Sequence, residues 1–77
     1  MTLEEQVMQV IAEALDVAPS VIIPKLGIND IPEWNSMGNL AIIAALEEKF
    51  EVEIPLEDLF DLTDVESIID EVKNLKK

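Results

Sequence analysis

The chain has no cysteine, no histidine and no arginine, and only three aromatic residues, Trp34, Phe50 and Phe60. Without cysteine there is no disulfide, no thiolate metal site and no sulfur nucleophile. Without histidine, Ser-His-Asp chemistry and His-ligated zinc are excluded within the chain. Positive charge is scarce: five lysines stand against 17 acidic residues, a formal net charge of -12. Phosphate contacts need clustered basic side chains, so no nucleic acid is expected as a partner, and an anionic membrane surface should repel the chain. No apolar run approaches the roughly 20 residues of a membrane span, so no membrane insertion is expected. The start, MTLEEQ, lacks a basic n-region, which reads as no signal peptide and a cytoplasmic location.

What the chain does have is apolar surface. Of its 77 residues 49% are hydrophobic, and the mean hydropathy is +0.24. That is enough to offset the ordering entropy of a small fold. Residues 1–77 are expected to form a single domain and to be monomeric. A domain of this size buries only about 60% of its unfolded surface, so its stability should be modest.

Thr2-Leu3-Glu4-Glu5 reads as a capping box. Apolar residues at Leu3, Val7, Val10, Ile11, Ala14 and Leu15 then form a helical stripe, predicting a first helix over about 3–16. Residues 18–35 carry three of the four prolines and lose all period. They are expected to form a long loop pinned to the core by Val21, Ile22, Ile23, Leu26, Ile28 and Ile31, with a short strand at 20–23 as the competing reading. A second helix should start at Asn35 or Ser36, both good cap types, and end near Phe50. Its stretch from Leu40 to Leu46 is apolar on nearly every face, so it is either central or offers an apolar face for contacts. Pro55 opens a short third helix over 56–61. Thr63 or Asp64 caps a fourth, with Val65, Ile68, Ile69, Val72 and Leu75 at helical spacing and Lys73, Lys76 and Lys77 toward its end, where positive charge suits the helix dipole. The expected fold is therefore all-α: a small four-helix bundle, three helices longer and one short, with a long loop between the first two. Val7, Ile11, Ile43, Leu46, Phe50, Ile54, Leu59, Ile68, Ile69 and Val72 are the expected interior.

Residues 47–71 hold eleven acidic residues against the single Lys49. Such a stretch is either a solvated face or a docking surface for basic partners. Asp58, Asp61 and Asp64 are spaced by three, but the EF-hand pattern is absent, and no dedicated metal site is indicated.

Ser36 stands where the loop ends and the apolar helix begins. Its simplest role is a helix cap, but its neighbours point further. Glu33-Trp34-Asn35-Ser36-Met37-Gly38-Asn39-Leu40, then Ala45-Leu46-Glu47-Glu48-Lys49-Phe50, then Glu53-Ile54-Pro55, closely resembles an acyl or peptidyl carrier protein. That family carries Asp-Ser-Leu at the start of its second helix, followed by Ala-Leu-Glu-Glu-x-Phe and a short Ile-Pro link. The resemblance covers essentially the whole chain. It implies a single carrier domain over 1–77 that catalyses nothing itself. It also implies that Ser36 carries 4'-phosphopantetheine, transferred from coenzyme A by a phosphopantetheinyl transferase. The arm's thiol would hold cargo as a thioester, so the cofactor supplies the reactive group that the chain lacks. A helix N-terminus suits the phosphodiester, because backbone N–H groups and the positive dipole end face it.

Where the family usually has Asp and Leu, this chain has Asn35 and Met37. Gly38 lowers helix propensity in the first turn, and Ala41 replaces a commonly acidic residue of fatty-acid carriers. The pattern Trp-x-Ser-x-Gly-x-Leu looks more like carriers dedicated to one pathway. By spacing and by resemblance, Asn35, Met37, Leu40, Ala41, Ala44, Glu47 and Glu48 are the expected partner-binding residues. The implied partners are acyl-transferring or acyl-activating enzymes with basic docking surfaces. Leu40 and Ala44 read equally as core, Glu47 and Glu48 as solvated surface. Trp34 either packs the loop onto the bundle or stands beside the arm. In acyl carriers a similar interior opens to shelter an acyl chain. The resulting functional expectation is a carrier of acyl intermediates in fatty-acid, lipid or polyketide biosynthesis. The alternatives are an aminoacyl or peptidyl carrier, or an unmodified helical interaction module.

Overall fold

The first helix forms where its cap and its stripe agree. In this computed structural model, which describes residues 2–76, α1 spans Leu3–Leu15. The Thr2 hydroxyl accepts from the Glu5 N–H at 3.1 Å while the Glu5 carboxylate reaches back to the Thr2 N–H. The stripe buries Val7, Val10, Ile11, Ala12 and Leu15. Asp16 ends the helix in the left-handed region at φ 58°, a conformation that usually falls to glycine.

Residues 19–21 form a single 3-10 turn rather than a strand at 20–23. The loop is pinned by fewer side chains than its composition suggests. Ile22 and Leu26 are buried and Ile28 and Ile31 are half-buried, but Val21 and Ile23 face solvent. Backbone hydrogen bonds do the remaining work. Ile28 N–H donates to the Thr63 carbonyl at 2.7 Å, Val65 N–H to Leu26 at 2.9 Å and Glu66 N–H to Pro24 at 3.2 Å. These tie the loop to the start of the last helix and leave an isolated bridge between Gly27 and Asp64.

Helix α2 spans Ser36–Phe50. Uniformly apolar in its middle, it is sorted by its neighbours: Ile42, Ile43, Leu46 and Phe50 turn inward, while Leu40, Ala41 and Ala44 are exposed. Glu51 closes it at φ 54°. The expected short helix is a 3-10 helix, Leu56–Asp61. Leucines at 56, 59 and 62 recur at its three-residue period. Even so, Leu59 is only half-buried, contrary to its expected place in the core, and burial is complete only at Leu62.

Helix α3 spans Val65–Leu75, capped by Asp64 in a reciprocal pair with Ser67. It buries Val65, Ile68, Ile69 and Val72. Lys73 lies in its last turn and Lys76 at its C-cap; Lys77 lies outside the described residues. The architecture is thus the expected all-α bundle, with α1 packed against both α2 and α3 around one continuous core. No described helix is long and apolar enough to cross a membrane.

Candidate functional site

The site is built where the loop delivers the chain to α2. Trp34 ends the loop fully buried, at 0% exposure. Its indole N–H donates to Asn39 Oδ1 at 3.0 Å, its backbone N–H to the Ile31 carbonyl at 3.1 Å, and its carbonyl accepts from Asn29 N–H at 2.6 Å. Trp34 therefore packs the loop under the first turn of α2 instead of lying open beside an arm. Fixing Trp34 fixes the two residues that follow it.

Asn35 is the helix cap. Its Oδ1 accepts from the Gly38 N–H at 2.8 Å, and its carbonyl takes the first helical bond, from Asn39 N–H at 2.8 Å. Because Asn35 does the capping, Ser36 is not needed for it. Ser36 is the first helical residue and is exposed. The first-turn amides of Ser36 and Met37 have no acceptor within a helix. No acidic residue lies in this turn, although the chain carries a charge of -12. An uncharged cap at Asn35 spares a phosphodiester the repulsion that a carboxylate would exert. The residues present therefore fit a phosphate ester at Ser36: an exposed residue, two amides without a helical acceptor, the positive helix end and no acidic residue within the first turn.

The other serines are placed differently. Ser67 is held in the α3 cap by Asp64, and Ser20 lies in the 3-10 turn rather than at the start of an α-helix.

Gly38 has a steric reason that sequence reading registered only as lost propensity. A Cβ here would collide with the Glu33 carbonyl oxygen and come within 3.0 Å of Leu15 Cδ2. The loop backbone can approach α2 this closely only because the side chain is missing.

Of the expected contact residues, Met37, Leu40, Ala41, Ala44 and Glu48 lie exposed along one side of α2 below Ser36. Leu40, 61% exposed, and Ala44 are surface and not core. Glu47 is half-buried, and its Oε2 accepts from the Ile54 N–H at 2.9 Å. It thus fastens the α2 C-terminal turns to the following link. Three features carried no readable sequence signal: the Trp34–Asn39 pair, the Glu47–Ile54 bond, and a seam of carboxylates between α3 and the 3-10 helix. In that seam Glu71 Oε2 is buried without a partner. Burial, then the side chain of Asp58 and the charges of Asp58 and Asp61, push the Glu71 carboxyl above its ordinary pKa.

Among the described residues no cluster of ligating side chains suits a metal ion. The residues expected to shelter an acyl chain, Ile43, Leu46 and Ile68 among them, are packed together in the core. A surface groove of ≈ 400 Å³ lies instead between α1 and the Pro19 turn, lined by Glu5, Met8, Gln9, Pro19 and Ile22.

The family model described as a phosphopantetheine attachment site matches residues 5–72. An acyl carrier protein of Thermosynechococcus vestitus is 33% identical over 70 residues, covering 91% of this chain and 86% of that protein. The solution structure of holo acyl carrier protein from Geobacter metallireducens superposes with a TM-score of 0.84 at 23% identity, covering 97% of this chain and 86% of the other.

Proposed function

The chain belongs to the acyl carrier family of phosphopantetheine attachment domains, and on that premise we propose that Ser36 is the residue that carries the 4'-phosphopantetheine. The family is one of carriers that serve enzymes without catalysing a reaction themselves. The observation that carries the assignment is local. Ser36 is exposed at the first position of α2 while Asn35 does the capping. A transferase can therefore reach the hydroxyl without breaking a hydrogen bond that holds the helix.

When bound, the arm supplies a thiol that holds cargo as a thioester. The chain's own residues position and display it. Trp34 anchors the incoming loop, Asn35 and the first-turn amides would hold the phosphodiester, and the uncharged first half of α2 offers partners an approach to it. We assign residues 1–77 to one carrier domain acting in the cytoplasm as a monomer. It receives acyl intermediates and delivers them to enzymes of fatty-acid, lipid or polyketide biosynthesis. The closeness to an acyl carrier relative over 91% of the chain favours acyl cargo. The neutral first half of α2 keeps an aminoacyl or peptidyl carrier of a specialised pathway as the second reading.

The test is to purify the chain from its own cells and treat it with hydroxylamine, which converts a thioester to a hydroxamate and frees the thiol. An acyl hydroxamate, with the arm mapped to a peptide containing Ser36, is the expected result. An aminoacyl hydroxamate selects the second reading, and an arm mapped elsewhere overturns the assignment of Ser36.

A further inference from the structure

Sulfur is confined to three methionines, since the chain has no cysteine. Met1 lies outside the described residues. Met8 is half-buried and packed against the core. Met37 is 79% exposed and directly follows Ser36 in the first turn of α2. Among the described residues the exposed large hydrophobic side chains are Val21, Ile23, Met37, Leu40, Leu56 and Phe60, with Phe60 the most open at 85%. Met37 is the one of these that holds an oxidisable sulfur. The indole of Trp34, the other oxidation-prone group, is fully buried and donates to Asn39. Until an arm is attached, Met37 is therefore the described sulfur most open to an oxidant.

A thioether reacts with a peroxide through a sulfur lone pair. A sulfur–oxygen bond forms, the oxygen–oxygen bond breaks, the sulfur is oxidised and the peroxide is reduced to water. The product is a sulfoxide, polar and chiral, which sulfoxide reductases convert back. At Met8 the change would set a polar group against the core. At Met37 the side chain already faces water, so the fold should not be disturbed.

The consequence falls on Ser36 instead. An enzyme that transfers a group to its hydroxyl must bring the reacting atom within about 3–3.5 Å of that oxygen, and so covers the next residue. A thioether enters such a contact as an apolar, adaptable group. A sulfoxide enters it only by losing its water. Its oxygen is also a strong acceptor, carried in the same turn as the Ser36 and Met37 amides that a phosphodiester would use.

We propose that Met37 is a reversible oxidation site that controls the loading of Ser36: the sulfoxide holds the chain in its unmodified form until a reductase restores the thioether. The inference rests on the carrier reading and adds a regulation to the same site. Leucine, the usual family residue here, would give nearly the same apolar volume without this chemistry.

The probe is hydrogen peroxide, applied to the full chain without its arm and removed with catalase before coenzyme A is added. Peptide mapping should place the first oxygen on Met37, ahead of Met8, with circular dichroism unchanged. Loading by a broad-specificity phosphopantetheinyl transferase should then fall about five- to fiftyfold in kcat/KM. Sulfoxide reductases for both epimers, with dithiothreitol, should restore it. Met8→Leu should show the same loss on oxidation. In Met37→Leu the rates with and without peroxide should agree within about twofold, whatever their level. Oxygen on Met8 before Met37 overturns the inference. So does a Met37 sulfoxide that loads within about twofold of the untreated chain, or an equal loss in Met37→Leu. A folded, untreated chain that accepts no phosphopantetheine overturns the carrier reading itself and this inference with it, an outcome the untreated sample shows separately.

Discussion

Gly38→Ala tests how the loop seats against α2, because two effects of opposite sign meet at one atom. On helix propensity alone the substitution should stabilise by about 1 kcal/mol. The added Cβ, however, would run into the Glu33 carbonyl oxygen and sit 3.0 Å from Leu15 Cδ2. A leucine methyl can turn aside, but the carbonyl belongs to a loop held by the bonds of Trp34 to Ile31, Asn29 and Asn39. Relief therefore requires moving backbone that is tied on both sides. Overpacking costs about 1–3 kcal/mol, and a backbone clash belongs at or beyond the upper end of that range. Subtracting the propensity gain leaves a net loss of about 1–2 kcal/mol. At about 4–8 °C per kcal/mol for a domain of this size, Tm should fall by roughly 5–15 °C. Thermal unfolding followed by circular dichroism reads the shift. Emission of Trp34, the only tryptophan, reports whether its buried setting is disturbed. A Tm that rises would refute the argument, since propensity would then outweigh packing and the loop would be free to move.

Three further outcomes follow from single contacts. Asn39→Ala leaves the buried Trp34 indole N–H without its acceptor; it should cost about 1–3 kcal/mol in urea unfolding despite alanine's better propensity, and a neutral result would mean that water replaces the amide. Asp16→Gly and Glu51→Gly relieve left-handed backbone at φ 58° and φ 54°; each should stabilise by several tenths to about 1 kcal/mol, and a loss of stability at both would contradict the cap geometry. Glu71 has a folded-state pKa raised by burial, then by Asp58 and Asp61. The folded state thus prefers its protonated form, so this group's contribution is fully present below the unfolded pKa and is lost as pH rises through the folded value. Stability should increase as pH falls from neutral through the raised pKa toward 4.5, and Glu71→Gln should flatten that dependence while stabilising the chain at neutral pH; an unchanged profile in Glu71→Gln would refute the assignment.

The helices that were legible in the sequence were those whose local and tertiary signals coincide. For α1 the Thr2–Glu5 box and the stripe from Leu3 to Leu15 specify the same element and face. In α3 the spacing of Val65, Ile68, Ile69 and Val72 marked the buried side, although the choice of Asp64 over Thr63 as cap needed the Ser67 pairing. Helix α2 was visible but its orientation was not. With apolar residues on every face, only packing against α1 decides that Ile42 and Ile43 turn in while Leu40 and Ala44 turn out. In the loop, the prolines marked irregular backbone, yet burial follows from backbone bonds to Thr63 and from α3 to Leu26 and Pro24, which leaves Ile23 exposed despite its type. Ser36 stood out by its neighbours. What set it apart from an ordinary cap, the hydrogen bond from Gly38 to Asn35, is a matter of geometry that Asn35 and Ser36 could equally have supplied from sequence alone. Phe60 was inconspicuous because a single aromatic in a short helix is ordinarily core, and six residues are too few to show a face.

The measurement that bears most directly on the account is the intact mass of the chain after incubation with coenzyme A, magnesium and a broad-specificity phosphopantetheinyl transferase, beside a Ser36→Ala control shown by circular dichroism to be folded. The account predicts a gain of one phosphopantetheine in the parent and none in Ser36→Ala. Gain in both, or in neither, would contradict it.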